Sequence, residues 1–259
     1  MTISSAHLET DQPSDCLLSE PWQAFDRIYC ISLAQRPDRY QSARCQFQRV
    51  GLADRVEFVI VDKHPTDSER GIFESHLACL RAGLAAHANR IVVFEDDILI
   101  RRFSPQRLRR AAHFMDCNPD WRLFFFGCFV NSSRKTPFPS VVKVSYRCTA
   151  HGYVVCREFA EKLVNIPWQG IPYDNLLRAT AGDRVYAIYP AFAFQNASST
   201  DNDNLRGVDR ARRIFGGFRL LQQWNEFSAR RIVPIIAAHV VLLLLIILIA
   251  LLHRGMPWR

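Results

Sequence analysis

Short apolar runs alternate with amphipathic helical patterns over most of this chain. The runs are rich in β-branched and aromatic residues, as in strands that are covered on both faces. Between the second and third runs, apolar residues recur every three or four positions from Phe73 to Leu84, which is typical of a helix with one buried face. Strand alternating with helix predicts an α/β domain with a mainly parallel central sheet. The runs lie at 27–33, 56–61, 91–94 and 122–127.

The third run ends in three consecutive acidic residues, Glu95, Asp96 and Asp97. A carboxylate that is buried without a partner is costly, so something must compensate these three. The carboxyl end of a strand is the edge at which open α/β sheets bind ligands. If the chain stays extended there, Glu95 and Asp97 point to one side and Asp96 to the other. We therefore predict that Glu95 and Asp97 bind a divalent cation, the alternative being a solvated strand end.

An uncharged apolar run occupies residues 232–252. At about 1.5 Å per residue, a helix of this length would cross a hydrocarbon core of about 30 Å, so the run predicts a transmembrane helix. Six arginines lie between residues 210 and 231, against two beyond the run. By the positive-inside rule, this predicts a single-pass, tail-anchored membrane protein whose large domain lies in the cytoplasm, at the bacterial inner membrane.

The charge balance leaves several classes of partner open. The chain has 33 Lys and Arg against 25 Asp and Glu, a formal net charge of +8. A basic chain can bind nucleic acid, anionic lipid or a phosphorylated small ligand. Because the basic residues cluster beside the apolar run and no aromatic–basic motif accompanies them, nucleic acid is not expected as a partner.

The composition divides the chain into five predicted segments. A polar leader, expected to be disordered, precedes the α/β domain, and a basic juxtamembrane segment links that domain to the predicted membrane helix and a short tail. The segments are 1–24, 25–202, 203–231, 232–252 and 253–259.

Several further motifs follow one another in order along residues 26–202. An Arg-Pro-Asp-Arg sequence at 36–39 follows the first strand, and a Gly-x-x-x-Ser-His pattern at 71–76 lies in the next helix. The later motifs are a Gly-Tyr strand (152–153), a Pro-x-Asp segment (172–174) and a closing strand with Gln195. Together with the acidic strand end, this series resembles glycosyltransferase family 25, which contains bacterial lipooligosaccharide galactosyltransferases and collagen galactosyltransferase domains.

The resemblance implies a GT-A-like nucleotide-sugar-binding domain. It implies inverting transfer of a hexose, expected to be galactose, from a UDP-sugar to a cell-surface glycan or glycolipid such as lipooligosaccharide. The divalent cation would be Mn²⁺ or Mg²⁺, with Mn²⁺ favoured. Inverting transfer needs a carboxylate that takes a proton from the acceptor hydroxyl, and Asp174 is the predicted base, the alternative being a sugar-binding role. Two alternatives stay open: another metal-dependent enzyme that processes phosphates, and a non-catalytic scaffold that retains the fold.

The other predicted site residues would contact the substrates. The two arginines follow the first strand closely enough to reach a diphosphate, and the Ser-His pair lies early in its helix, where free backbone N–H groups favour anions. The tyrosine could stack on a base or a sugar. The alternative for the two arginines is a solvated helix start. The alternative for the histidine is packing in the core, and the alternative for the tyrosine is a plain core strand. The predicted substrate contacts are Arg36, Arg39, Ser75, His76, Asp96, Tyr153 and Gln195.

Overall fold

An eight-stranded mixed sheet with helices on both faces forms the body of the protein, in a computed structural model that describes residues 20–196 and 217–254. The strands are β1 (Arg27–Leu33), β2 (Val56–Val61), β3 (Arg90–Glu95), β4 (Ile98–Ile100), β5 (Leu123–Phe125), β6 (Phe129–Lys135), β7 (Val141–Cys148), β8 (Gly152–Cys156), β9 (Val185–Ile188) and β10 (Ala193–Gln195). The helices are α1 (Pro37–Gln48), α2 (Ser68–Ala85), α3 (Pro105–Cys117), α4 (Arg157–Val164), α5 (Tyr173–Thr180), α6 (Gly217–Arg230) and α7 (Ile232–Arg254).

The order of the large sheet is β2-β1-β3-β8-β5-β9-β7-β6, and β4 pairs with β10 in a separate two-stranded sheet. Within the large sheet, β7 and β8 run antiparallel to the other strands. The runs predicted as strands at 27–33 and 56–61 coincide with β1 and β2, and the other two overlap β3 and β5. The predicted α/β architecture is therefore confirmed, but the insertion of β8 between β3 and β5 makes the pairing mixed.

The side chains of β3 alternate between two apolar layers. Ile91 and Val93 pack on the face covered by α2, α4 and α5, whereas Val92 and Phe94 pack on the face covered by α1 and α3. All four side chains are fully buried. A strand with two buried faces reads as a continuous apolar run, and so the acidic residues that follow β3 stand out in the sequence.

Part of the predicted leader is ordered. Residues Glu20–Ala24 form a turn of 3₁₀ helix, and Trp22 is completely buried among core aromatic rings. Its indole Nε1–H donates to the carbonyl of Val50 at 2.9 Å. A buried indole with a satisfied N–H stabilises this turn, so the ordered domain begins earlier than the polar composition suggested. Residues 1–19 lie outside the described residues.

Helix α6 is held on the domain by polar side chains on one face. Gln222 Nε2 donates to the carbonyl of Ala193 at 3.0 Å. The Asn225 amide pairs with both backbone groups of Val130, accepting from its N–H at 2.8 Å and donating to its carbonyl at 2.9 Å. These contacts occupy backbone groups of β6 and β10. Part of the segment predicted to be juxtamembrane thus packs against the α/β domain.

Glu226, on the same face of α6, should make the stability of the protein depend on pH. Its carboxylate accepts a hydrogen bond from the N–H of Ala191 at 3.1 Å, and burial raises its pKa from 4.5 to about 7. The folded state binds the proton of Glu226 more tightly than the unfolded chain does. Protonated Glu226 therefore adds to the free energy of unfolding, fully below pH 4.5, and this stabilisation is lost as pH rises through about 7. The Glu226→Gln variant keeps an acceptor and cannot ionise. The free energy of unfolding of this variant, relative to that of the parent protein, should therefore rise by roughly 3 kcal/mol between pH 4.5 and pH 8.5.

Urea unfolding at several pH values measures this difference. Glu158→Gln, at an exposed position of α4, makes the same chemical change without the burial. We expect its unfolding free energy to follow that of the parent protein across the range. If the unfolding free energies of Glu226→Gln and of the parent protein depended on pH in the same way, the raised pKa of Glu226 would be contradicted.

The predicted transmembrane helix is contradicted. The backbone of residues 232–254 is helical, but within residues 20–196 and 217–254 no helix proves long and apolar enough to cross a membrane. The predicted single-pass, tail-anchored location and the predicted membrane partner are corrected with it.

Candidate functional site

A cavity of about 410 Å³ lies where the carboxyl ends of β1, β2 and β3 meet the first turns of α2 and α5. Strands β1, β2 and β3 run parallel, so their carboxyl ends share one edge of the sheet, as predicted for a ligand site. Arg36 and Tyr153 do not line this cavity. The predicted site residues that do line it are Arg39, Ser75, His76, Glu95, Asp96, Asp97, Asp174 and Gln195.

The chain does not stay extended through the acidic triplet. Strand β3 ends at Glu95, Asp96 and Asp97 form a turn, and β4 begins at Ile98. The turn arises because β4 leaves the large sheet to pair with β10, which sets Ile98 opposite Gln195. The predicted extension is therefore wrong. The carboxylates nevertheless reach the same cavity from the end of β3.

Asp96 is held in a buried polar network. Its Oδ2 accepts from the Ser32 hydroxyl at 2.8 Å and from the N–H of Leu33 at 3.3 Å, and its Oδ1 lies 3.4 Å from Arg39 Nη1. Burial raises the pKa of Asp96, while the hydrogen bond from Ser32 and the charge of Arg39 oppose that rise. Asp96 thus joins the end of β1 to α1. Its predicted contact with a substrate stays a prediction.

Asp97 has one satisfied oxygen and one unsatisfied oxygen. Its Oδ2 accepts from Gln195 Nε2 at 2.6 Å, whereas its buried Oδ1 has no hydrogen-bond partner within the described residues. Burial, together with the neighbouring Glu95 carboxylate, raises the pKa of Asp97 to about 7. A buried acceptor without a donor is rare in folded proteins and is expected where a ligand completes the site.

Glu95 lines the cavity with 29% of its side chain exposed. Its Oε1 lies 3.3 Å from Nε2 of the buried His76. Burial among protein atoms, and then the charges of Asp174 and Asp96, raise the pKa of Glu95 to about 8. The cavity therefore concentrates acidic groups whose mutual repulsion a cation would relieve.

Glu95 and Asp97 fit a cation that a second ligand helps to hold. No group of three or more His, Cys, Asp or Glu side chains placed to bind a metal occurs in the described part of the chain. Mg²⁺ is commonly held by one or two carboxylates, and substrate phosphates and waters complete its coordination. The unpartnered Oδ1 of Asp97 beside the Glu95 carboxylate suits that arrangement.

His76 lies beneath the cavity and is almost fully buried. Its Nδ1 is 2.9 Å from the Tyr153 hydroxyl, and its ring stacks on Tyr173 with centroids 4.2 Å apart. Burial lowers the pKa of His76 to about 4, so the ring is neutral near pH 7. Tyr153 is completely buried in β8. The position of Tyr153 therefore does not support the predicted stacking on a base or sugar, whereas Tyr173 does line the cavity.

Asp174 lies in the first turn of α5 and lines the cavity. Its Oδ1 accepts from the Tyr146 hydroxyl at 2.7 Å, and its Oδ2 accepts from the N–H of Thr149 at 2.8 Å. Each carboxylate oxygen keeps a second lone pair that can accept from an acceptor hydroxyl. The position is compatible with the predicted role as base, which stays a prediction.

Ser75 and Arg36, both predicted to lie near anionic groups of a substrate, are bonded to other groups of the protein. Helix α2 begins at Ser68, so Ser75 lies two turns inside it and donates its hydroxyl to the carbonyl of Gly71 at 2.7 Å. The free N–H groups of α2 lie instead in its first turn, where the Asp67 carboxylate accepts two of them. The guanidinium of Arg36 pairs with Asp38 at 2.8 Å, outside the cavity lining.

His151 is a cavity residue that the sequence analysis did not propose. Its Nε2 lies 3.2 Å from the carbonyl of Ala193, and its buried Nδ1 has no partner within the described residues. Burial lowers its pKa to about 4, so the ring is neutral and Nε2 carries the proton that it donates to Ala193. No motif marks His151, because its place on the cavity wall depends on the pairing of β8 with β3, where the N–H of Glu95 donates to the carbonyl of His151 at 3.2 Å.

No family model and no curated protein matches this chain. Among solved structures, a protein from STIV is 14% identical with a TM-score of 0.44, covering 66% of this chain and 85% of that one. A UDP-glucose pyrophosphorylase complexed with UDP-glucose is 12% identical with a TM-score of 0.42, covering 78% and 87%. A glycosyltransferase involved in the glycosylation of the major capsid of PBCV-1 is 11% identical with a TM-score of 0.41, covering 72% and 100%.

The structures to which this chain is similar thus include a nucleotide-sugar pyrophosphorylase and a glycosyltransferase. Identities and TM-scores this low carry no argument about activity, and membership of glycosyltransferase family 25 is not shown. The function has to be inferred from the cavity.

Proposed function

We propose that this protein is a metal-dependent glycosyltransferase that transfers a hexose from a UDP-sugar to a glycan or glycolipid acceptor. The observation that carries the proposal is the pair Glu95 and Asp97, with the unpartnered Oδ1 of Asp97, at the carboxyl edge of three parallel strands. Galactose as the sugar, inversion as the stereochemical course and Mn²⁺ as the favoured ion come from the resemblance to family 25.

The chemistry needs groups that bind a diphosphate. Glycosyl transfer from a nucleotide sugar expels a nucleoside diphosphate, whose charge a bound divalent cation offsets. Glu95 and Asp97 would hold that cation, and Gln195 orients Asp97 through the hydrogen bond to its Oδ2. Arg39 lines the same cavity and contributes positive charge there, although Asp96 neutralises part of it.

The acceptor half of the cavity lies towards α5. Asp174 would accept the proton of the acceptor hydroxyl, and its bonds from Tyr146 and Thr149 fix the carboxylate in place. The charge of Asp174 is close enough to Glu95 to raise the pKa of that carboxyl. The proposed base and the proposed cation site therefore share one cavity, whose volume of about 410 Å³ is in the usual range for small-molecule sites.

Calorimetry on the full chain with a panel of UDP-, GDP- and CMP-sugars tests the proposal. We expect one UDP-sugar to bind, and its affinity to depend on Mn²⁺ or Mg²⁺. Incubation with that donor and a glycan acceptor should then release UDP. Release of pyrophosphate or inorganic phosphate would instead show that the protein is another metal-dependent enzyme that processes phosphates. A folded sample that binds no donor with either ion would favour a non-catalytic scaffold.

A further inference from the structure

A continuous chain of hydrogen bonds connects the core of the protein to the cavity. The Tyr173 hydroxyl lies 2.9 Å from that of Tyr153, which lies 2.9 Å from Nδ1 of His76. Nε2 of the same imidazole lies 3.3 Å from Oε1 of Glu95. The two tyrosines and the histidine are each at most 1% exposed, so bulk water does not compete for these bonds.

The donors and acceptors of this chain have one consistent arrangement. The Glu95 carboxylate is ionised above its pKa of about 8 and whenever it holds a cation, and it then only accepts, so Nε2 of His76 carries the hydrogen that points at Glu95. The neutral ring then has an acceptor at Nδ1, and the Tyr153 hydroxyl must donate to it. The Tyr153 oxygen in turn accepts from the Tyr173 hydroxyl. Each hydroxyl therefore donates one hydrogen bond, and all donors of the hydrogen-bond chain point from Tyr173 towards Glu95.

The ring of His76 is also fixed in orientation. It stacks on the ring of Tyr173 with an interplanar angle of 9° and a centroid distance of 4.2 Å. Tyr173 therefore acts twice, once through its ring and once through its hydroxyl. Stacking restricts rotation of the imidazole, and the hydrogen bond from Tyr153 selects which nitrogen carries the proton.

We propose that Tyr153 and Tyr173 are positioning residues that hold His76 as an Nε2–H donor to Glu95 and so orient the Glu95 carboxylate for a divalent cation. The proposal rests on the proposed function for its cation. Neither tyrosine touches the ion. Partners that are hydrogen-bonded directly to a metal ligand, as His76 would be to Glu95, typically change metal affinity by about 10- to 100-fold when they are removed.

The protonated nitrogen of His76 is measured first, on the full chain without any ligand and at about pH 9, above the pKa of Glu95 of about 8. Long-range ¹H–¹⁵N NMR of the parent protein should show the Nε2–H form of His76. Replacement of Tyr153 by Phe removes one hydroxyl and leaves the ring, and it should populate the Nδ1–H form as well. Finding Nδ1–H in the parent protein would overturn the proposal, and this result does not depend on whether the protein is a glycosyltransferase.

Calorimetric titration with Mn²⁺ in the presence of UDP, which supplies the diphosphate ligand, then measures the effect on the site. Tyr153→Phe acts through His76 and should therefore weaken Mn²⁺ binding by about 10-fold, the lower end of that range. The control Tyr186→Phe removes a hydroxyl in β9, where the ring packs against Phe114 in the other apolar layer, and should bind Mn²⁺ as the parent protein does. Unchanged Mn²⁺ binding by a folded Tyr153→Phe variant would overturn the positioning role.

A double-mutant cycle separates positioning from a structural effect. The side-chain amide of a His76→Gln variant can donate to Glu95 whatever Tyr153 does. Adding Tyr153→Phe to His76→Gln should therefore weaken Mn²⁺ binding by less than about threefold further. Additive losses of affinity would mean that Tyr153 acts on the site by another route, and the proposal would be wrong. If the parent protein binds no Mn²⁺, the proposed function fails, and the NMR result alone decides whether Tyr153 sets the His76 proton.

Discussion

Replacement of Asp97 by Asn should abolish metal-dependent donor binding. The asparagine side chain would keep an acceptor for Gln195 Nε2, but it would place an amide where the unpartnered Oδ1 now lies, and the negative charge would be gone. Loss of a direct ligand should cost at least as much as loss of an outer partner, so we expect Mn²⁺ affinity to fall by at least about 100-fold. Calorimetry with Mn²⁺, and then with Mn²⁺ and the UDP-sugar, measures both losses.

Asp183→Asn is the matched control. It makes the same change at a carboxylate that is 83% exposed, paired with Lys143 and outside the cavity lining. This variant should bind metal and donor as the parent protein does. If a folded Asp97→Asn variant kept the affinity of the control, the buried acidic turn would have a structural role only and the cation site would be refuted.

Replacement of Phe126 by Ala should lower the free energy of unfolding more than any of the other substitutions proposed above. The ring is completely buried, and its centroid lies at most 5.8 Å from those of Trp22, Phe94 and Phe192. Truncation removes the transfer free energy of the ring and leaves a cavity that rigid aromatic neighbours cannot fill. We expect the free energy of unfolding to fall by about 3–5 kcal/mol.

Urea unfolding at neutral pH measures this loss. The control Phe227→Ala removes a ring that is 43% exposed on α6, and it should change the unfolding free energy by less than about 1 kcal/mol. Similar losses for the two variants would mean that the aromatic cluster around Phe126 is not the centre of the core.

Local patterns predicted the first half of the fold well. The bounds of β1 and β2 follow directly from their apolar runs, and the stripe from Phe73 to Leu84 lies on α2. These elements alternate in sequence, and β1 pairs with both β2 and β3. Such pairing is what a strand–helix–strand pattern implies.

The acidic site was only partly predictable. The sequence placed Glu95, Asp96 and Asp97 at a strand end, but their side chains depend on partners that are distant along the chain. Asp96 is held from β1 and Asp97 from β10, which lie 64 and 98 residues away in sequence. No local spacing reports these contacts, so the turn at Asp96 and the inward position of Tyr153 could not be read from the motif.

Helix α6 lies beyond the predicted end of the domain at residue 202 but packs on β6 and β10. A chain ending at residue 202 would lose Gln222 and Asn225, and the backbone groups of Val130 that Asn225 occupies would have to find other partners. The effect would also reach the acidic turn. The carbonyl that Gln222 holds is at the start of β10, and the same short strand ends at Gln195, which holds Asp97. Loosening of a helix far downstream in sequence would thus be transmitted to the carboxylates through a single three-residue strand.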